Sequence, residues 1–125
     1  MAPFWIGPWR VDPHKNVIER KDHRARVEPK AMRVLVHLAG RAGEDVAREE
    51  ILRAVWDGTS VKAEVLTNAI WELRKAFGDD AGEPDFIQTV SRKGYRLVAP
   101  VDWREHRGGW LSGFSIWLRA LLGRE

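Results

Sequence analysis

VKAEVLTNAIWELRKAFG, residues 61–78, precedes an acidic break and then FIQTVSRKGYRLV, residues 86–98. Placed on a wheel of 3.6 residues per turn, Leu66, Ile70, Leu73 and Phe77 of the first segment fall in one narrow sector, which has to face a core. Burying such side chains is worth roughly 1.5–3 kcal/mol each, more than a helix of this length gains from propensity, so they set its rotation. The opposite face then carries Glu64, Thr67, Asn68, Trp71, Arg74 and Lys75. An ordinary solvated face is built from Glu and Lys pairs and has no need of a central Trp. Gly78 supplies a residue able to take positive φ at the helix end, and Asp79 and Asp80 follow it.

Residues 86–90 and 94–98 are rich in β-branched and aromatic side chains and predict two short strands joined through Ser91, Arg92 and Lys93, with Gly94 supplying the positive φ of the turn. Arg92, Lys93 and Arg96 crowd this hairpin, and no acid lies between Phe86 and Pro100 to neutralise them. Phosphate oxygens are the natural counter-charge. The break before the hairpin holds Asp79, Asp80, Glu83 and Asp85, so the charge is arranged as a dipole able to orient the domain on a polyanion.

Working towards the N-terminus, residues 48–56 form a second helix-period segment, with Ile51, Leu52, Val55 and Trp56 inward, closed by Asp57-Gly58. Thr59 and Ser60 are among the few residues separating it from the helix above, so the two cross steeply, as in a helix-turn-helix. Pro29 opens another helix, with Met32, Leu35, Leu38 and Ala39 as its apolar stripe and Arg33, His37 and Arg41 opposite; Gly40 and Gly43 end it. Residues 4–11, 16–20 and 24–28 predict short antiparallel strands, separated by Asp12-Pro13 and by Lys21-Asp22-His23. The order is strands, three helices, hairpin.

The whole chain has 125 residues, 44% of them apolar, enough for one domain and an appendage. Its 21 Lys and Arg oppose 18 Asp and Glu, so the net charge of +3 says less than where the charges sit. Absence of cysteine excludes a disulfide framework and a thiolate metal site. The N-terminus lacks a basic n-region and a continuous apolar h-region, so the expected location is cytoplasmic.

Five stretches carry a family resemblance: WRVDP at residues 9–13, EPKAMRVLVHLA at 28–39, REEILRAVW at 48–56, LTNAIWELRKAFGDD at 66–80 and IQTVSRKGYRLV at 87–98. Over residues 4–98 the chain resembles the OmpR/PhoB-type winged-helix output domain, in the branch of CadC- and ToxR-like regulators. The resemblance implies an α+β fold: a four-stranded N-terminal sheet, a three-helix core and a C-terminal β-hairpin wing. It also implies transcription regulation, with the third helix in a major groove of double-stranded DNA and the wing beside a minor groove. Residues 57–61, between the second and third helices, would in such a domain be able to touch RNA polymerase. Three departures stand out: Ala47 where the family supplies a Ser or Thr helix cap, Asp22-His23 in place of the usual Asp-Gly turn, and Trp71 where a small polar or basic residue is usual.

The DNA-contacting set expected is Thr67, Asn68, Trp71, Arg74 and Lys75 on the helix with Arg92, Lys93 and Arg96 on the hairpin, acting as a homodimer on repeated half-sites. Asn68 can pair bidentately with adenine and Thr67 can pack its methyl on thymine. A protein-interaction module, with Trp71 and the tail tryptophans as its docking surface, is the alternative. No catalytic, metal or cofactor site is expected: His14, His23, His37 and His106 have no paired metal spacing, and no nucleophile elbow or Gly-rich phosphate loop occurs. The domain is expected over residues 1–100, with a linker and amphipathic C-terminal helix over 101–125. That helix bears Trp110, Leu111, Phe114, Trp117, Leu118, Leu121 and Leu122 on one face. It is too short to span a bilayer. A membrane-surface anchor, a dimerising or self-docking helix, and a remnant of a longer regulator all stay open.

Overall fold

The structure is a computed structural model that describes residues 1–57, 60–80, 82–91 and 94–104. The amphipathic helix expected after residue 104, and the residues Arg92 and Lys93 expected at the wing turn, lie outside the described residues. Two antiparallel sheets bracket three helices. The first has the order β4-β3-β2-β1-β8, built from β1 (Phe4–Ile6), β2 (Trp9–Asp12), β3 (Val17–Arg20), β4 (His23–Arg26) and β8 (Val101–Asp102). The second has the order β5-β7-β6, from β5 (Val46–Ala47), β6 (Ile87–Val90) and β7 (Gly94–Leu97). Between them run α1 (Pro29–Ala39), α2 (Arg48–Trp56) and α3 (Glu64–Phe77). This is the winged helix-turn-helix expected from the sequence.

The N-terminal sheet differs in detail from that expectation. Residues 4–11 are two strands: Ile6 pairs with Trp9 across Gly7-Pro8, where Gly7 takes φ 56° and Pro8 has no N–H to give a ladder. The β3–β4 turn is Lys21-Asp22, because Arg20 pairs with His23, and Lys21 itself takes φ 49°. The sheet has five strands in place of the four expected. Val101 and Asp102, expected in the linker, pair with Ile6 and Trp5, so β8 covers the β1 edge that would otherwise be open.

Each helix buries the stripe its sequence indicates. Met32, Leu35 and Leu38 of α1, Ile51 and Val55 of α2, and Leu66, Ile70, Leu73 and Phe77 of α3 all enter one core with Phe4, Ile6, Val11 and Ile18 of the sheet. Leu52 and Trp56 are only partly buried against it. Ala47 leaves α2 without a side-chain cap. The other end of α2 is better served: Lys30 Nζ donates to Val55 O at 3.0 Å and Arg33 to Ala54 O at 3.1 Å, so cations of α1 satisfy its last carbonyls. Asp57, at φ 49°, then turns the chain away.

A charged cluster joins α1 to α2. His37 Nε2 lies 2.7 Å from a Glu50 carboxylate oxygen, and Arg41, bonded to Glu44 at 3.0 Å, also donates to both Glu50 oxygens at 2.7 Å. The Arg41 hydrogen bond, and after it that of His37, hold the Glu50 carboxyl below its ordinary value.

Gly94 is needed for space. It does not take the positive φ of the turn, which falls to Ser91 at 54°. A Cβ on Gly94 would stand 2.0 Å from Val46 O, because β7 pairs there with β5.

Two outcomes follow from this packing. Gly94→Ala is expected to lower the unfolding free energy by about 3 kcal/mol or more, read by urea denaturation, since the obstructing atom is backbone. Because the Glu50 carboxyl is depressed in the folded state, its stabilisation is complete above the usual carboxylate range and is lost as pH falls through the lowered value. Glu50→Gln is therefore expected to melt below the wild type at neutral pH, the gap closing as the solution is acidified through that value.

Candidate nucleic-acid interface

The orientation of α3 settles which side chains it offers. With Leu66, Ile70, Leu73 and Phe77 buried, Thr67, Asn68 and Lys75 are exposed and Trp71 keeps 64% of its surface. Four of the five helix residues expected to contact DNA thus share one open face. Lys75 Nζ lies 5.1 Å from the centre of the Trp71 ring, one turn away, so a cation covers the largest apolar surface on that face.

Arg74 is placed differently. Its Nε and Nη2 donate to Ile87 O at 3.2 and 2.9 Å, and Nη2 donates to Thr89 Oγ1 at 2.9 Å. The guanidinium is half-buried and ties α3 to the first wing strand. Arg96 also has a partner: its Nε donates to Asp45 Oδ1 at 2.6 Å. The expectation that no acid neutralises the hairpin fails at this position, because Asp45 lies 51 residues away in sequence. Arg92 and Lys93 lie outside the described residues, between Ser91 and the first residue of β7.

Two acids turn out to hold this face in place. Asp79 follows a Schellman ending of α3, in which Asp79 N donates to Arg74 O at 2.8 Å and Gly78 N, at φ 68°, to Lys75 O at 3.2 Å. Its carboxylate then accepts from the backbone N–H groups of Asp85 at 2.7 Å, Phe86 at 3.3 Å and Ile87 at 2.9 Å. The end of the helix and the start of the wing are thereby welded through one side chain. Glu72 accepts from Glu28 N at 2.7 Å, fixing α3 against the entry to α1. The sequence marked Asp79 only as part of an acidic turn; GDD followed by a strand was the available signal.

A helix-turn-helix whose second helix turns polar, aromatic and cationic groups outward beside a β-hairpin defines a winged-helix DNA-binding domain. Residues 22–97 match the family described as "Transcriptional regulatory protein, C terminal", and the chain belongs to this OmpR/PhoB-type family. It is 37% identical over 105 residues to the transcriptional activator CadC of Escherichia coli K12, covering 83% of this chain and 20% of that protein. To the cholera toxin transcriptional activator of Vibrio cholerae it is 34% identical over 96 residues, covering 73% and 33%. The chain therefore corresponds to no more than a third of the length of either relative. Among solved structures, the DNA-binding domain of E. coli CadC superposes with a TM-score of 0.74 at 35% identity, covering 83% of this chain and 98% of that one. The Klebsiella pneumoniae RstA DNA-binding domain, solved in complex with the RstA box, gives 0.66 at 26% identity, with 78% and 98% covered.

These relatives regulate transcription and are not enzymes. No group of metal-ligating side chains occurs among the described residues, and no described helix is long and apolar enough to cross a membrane.

Arg74 and Lys75, adjacent in sequence, are expected to separate cleanly on substitution. Arg74→Ala removes bonds from a charged donor and should cost about 1–3 kcal/mol in urea denaturation, with faster amide exchange in β6. Lys75→Ala, at an exposed position, should stay within about 0.5 kcal/mol of the wild type.

Proposed function

We propose that the chain is the sequence-specific DNA-binding part of a bacterial transcriptional regulator, with α3 in the major groove. One observation carries this: in a fold shared with DNA-binding domains, the burial of Leu66, Ile70, Leu73 and Phe77 leaves Thr67, Asn68, Trp71 and Lys75 outward on a single face. Each has a chemistry suited to a duplex. The Asn68 amide pairs bidentately with an adenine edge, the Thr67 methyl packs on thymine, and Trp71 lies against sugar and methyl groups with Lys75 directed at phosphate. Arg92 and Lys93 at the wing tip meet phosphates or the adjacent minor groove. Arg74 acts by holding the wing at its distance from α3, and Arg96 serves the wing base through Asp45.

The proposal includes a cytoplasmic location, paired copies on repeated half-sites, and contact of the α2–α3 connection, residues 57–61, with RNA polymerase. The docking-module alternative draws its support from the exposure of Trp71. It predicts retention of a protein partner with no dependence on Arg92.

Selection of bound duplexes from a random pool, followed by binding titrations in increasing salt, tests the proposal. If about six phosphates are neutralised, log K falls against log salt with a slope near −5. Asn68→Ala is expected to relax discrimination at one base position by about 1–3 kcal/mol while keeping that slope. Lys75→Ala should weaken binding to all sequences alike and make the slope shallower by about 1. Binding indifferent to salt and to sequence would defeat the proposal.

A further inference from the structure

A groove of about 850 Å³ runs between the outer face of α3 and the β3–β4 hairpin, on the side of the helix away from the wing. Trp71 and Lys75 form one wall. Arg20, Lys21, His23, Arg24 and Arg26 lie along the other. The acids that line the groove are Asp22 and Glu72, and Glu72 already accepts the Glu28 N–H. Arg24 stands 3.9 Å from Glu19, whose other carboxylate oxygen takes an Arg10 hydrogen bond at 3.2 Å. The groove is therefore strongly cationic, with an aromatic side chain at its rim. In sequence these cations sit in two strands and the turn between them, with nothing to relate them to α3.

We infer that this groove receives the sugar-phosphate backbone of the duplex bound to α3, so that the protein grips DNA on two flanks of that helix. The inference rests on the DNA-binding reading above and deepens it. On α3, Arg74 and Lys75 are about 100° apart: the first reaches the wing, the second lines the groove. A duplex seated on the face between them passes over both sides. Phosphate is the counter-charge that the chemistry of the groove demands, and Trp71 at its rim offers a flat surface to deoxyribose. β4 is the last strand of its sheet, so its outward backbone N–H groups stand beside the arginines as further donors to phosphate oxygen. His23 is exposed there, as are Arg24 and Arg26.

The test uses the full chain and a 40-base-pair random-sequence duplex, since phosphate contacts carry no sequence information. Arg24→Gln with Arg26→Gln removes two exposed cations without touching the core, and matching melting temperatures verify that the fold is kept. The double variant is expected to bind several-fold more weakly, with a log K against log salt slope shallower by about 2, at roughly 0.9 per phosphate contact. Lys15→Gln, on the β2–β3 turn and outside the groove, is expected to keep the wild-type slope. A slope for the double variant parallel to the wild type would overturn the inference, and so would an equal change in Lys15→Gln. A wild-type chain that fails to bind any duplex in a salt-dependent way would instead defeat the DNA-binding reading itself.

Discussion

Phe77 stacks on Phe86, ring centres 4.7 Å apart and planes 4° from parallel, while Trp9 meets it edge-on at 5.8 Å. Around this trio the last turn of α3, the entry to the wing and the N-terminal sheet are brought together. Aromatic contacts of this kind add about 0.5–1.5 kcal/mol to the burial of their surfaces, and they are directional. Directionality is what matters most here. A slip of one residue in α3 would turn the helix by about 100°, burying Asn68 or Trp71 and exposing Leu66 or Leu73. The outward face is thus a by-product of inward packing, and the surface proposed here to meet DNA is specified by residues that never reach solvent.

Many charged groups in this fold serve construction. Lys30 and Arg33 finish α2, Asp79 gathers three backbone donors, Glu72 holds the start of α1, and Arg74 binds a wing carbonyl. In each case one member of the pair is main chain, which cannot wander, so the ordering cost falls on a single side chain. The Arg41–Glu50–His37 cluster differs in being side chain throughout. It joins the C-terminal end of α1 to the first turn of α2. A polar surface composed in this way leaves fewer cations for a polyanion than the sequence total suggests.

The sequence disclosed most of the helices because 3.6-residue periodicity is a local property, and all four residues of the α3 stripe lie in the core. What it concealed was non-local. The run from Phe4 to Val11 is apolar on both sides of Gly7-Pro8, so alternation alone did not divide it. The two residues of β8 carry no signal of their own and become a strand only because β1 offers an edge. Arg96 looked unneutralised because Asp45 is distant in sequence, and Arg74 looked outward because helical phase cannot reveal that a hairpin carbonyl waits beside it. Gly94 is legible in the sequence as a turn glycine, yet what requires it is clearance from Val46 and not torsional freedom.

The wing is anchored at both ends of its base. β6 is held to α3 by Arg74, and β7 pairs with β5, which continues without a break into α2. A hairpin restrained from two directions acts as a calliper whose jaws are set before any target arrives. On the proposed mode of binding, DNA that presents its neighbouring grooves at a different span would have to bend or widen to be gripped, and stiff sequences resist that more than flexible ones. Some selectivity would then reside in the elasticity of base steps that no side chain touches.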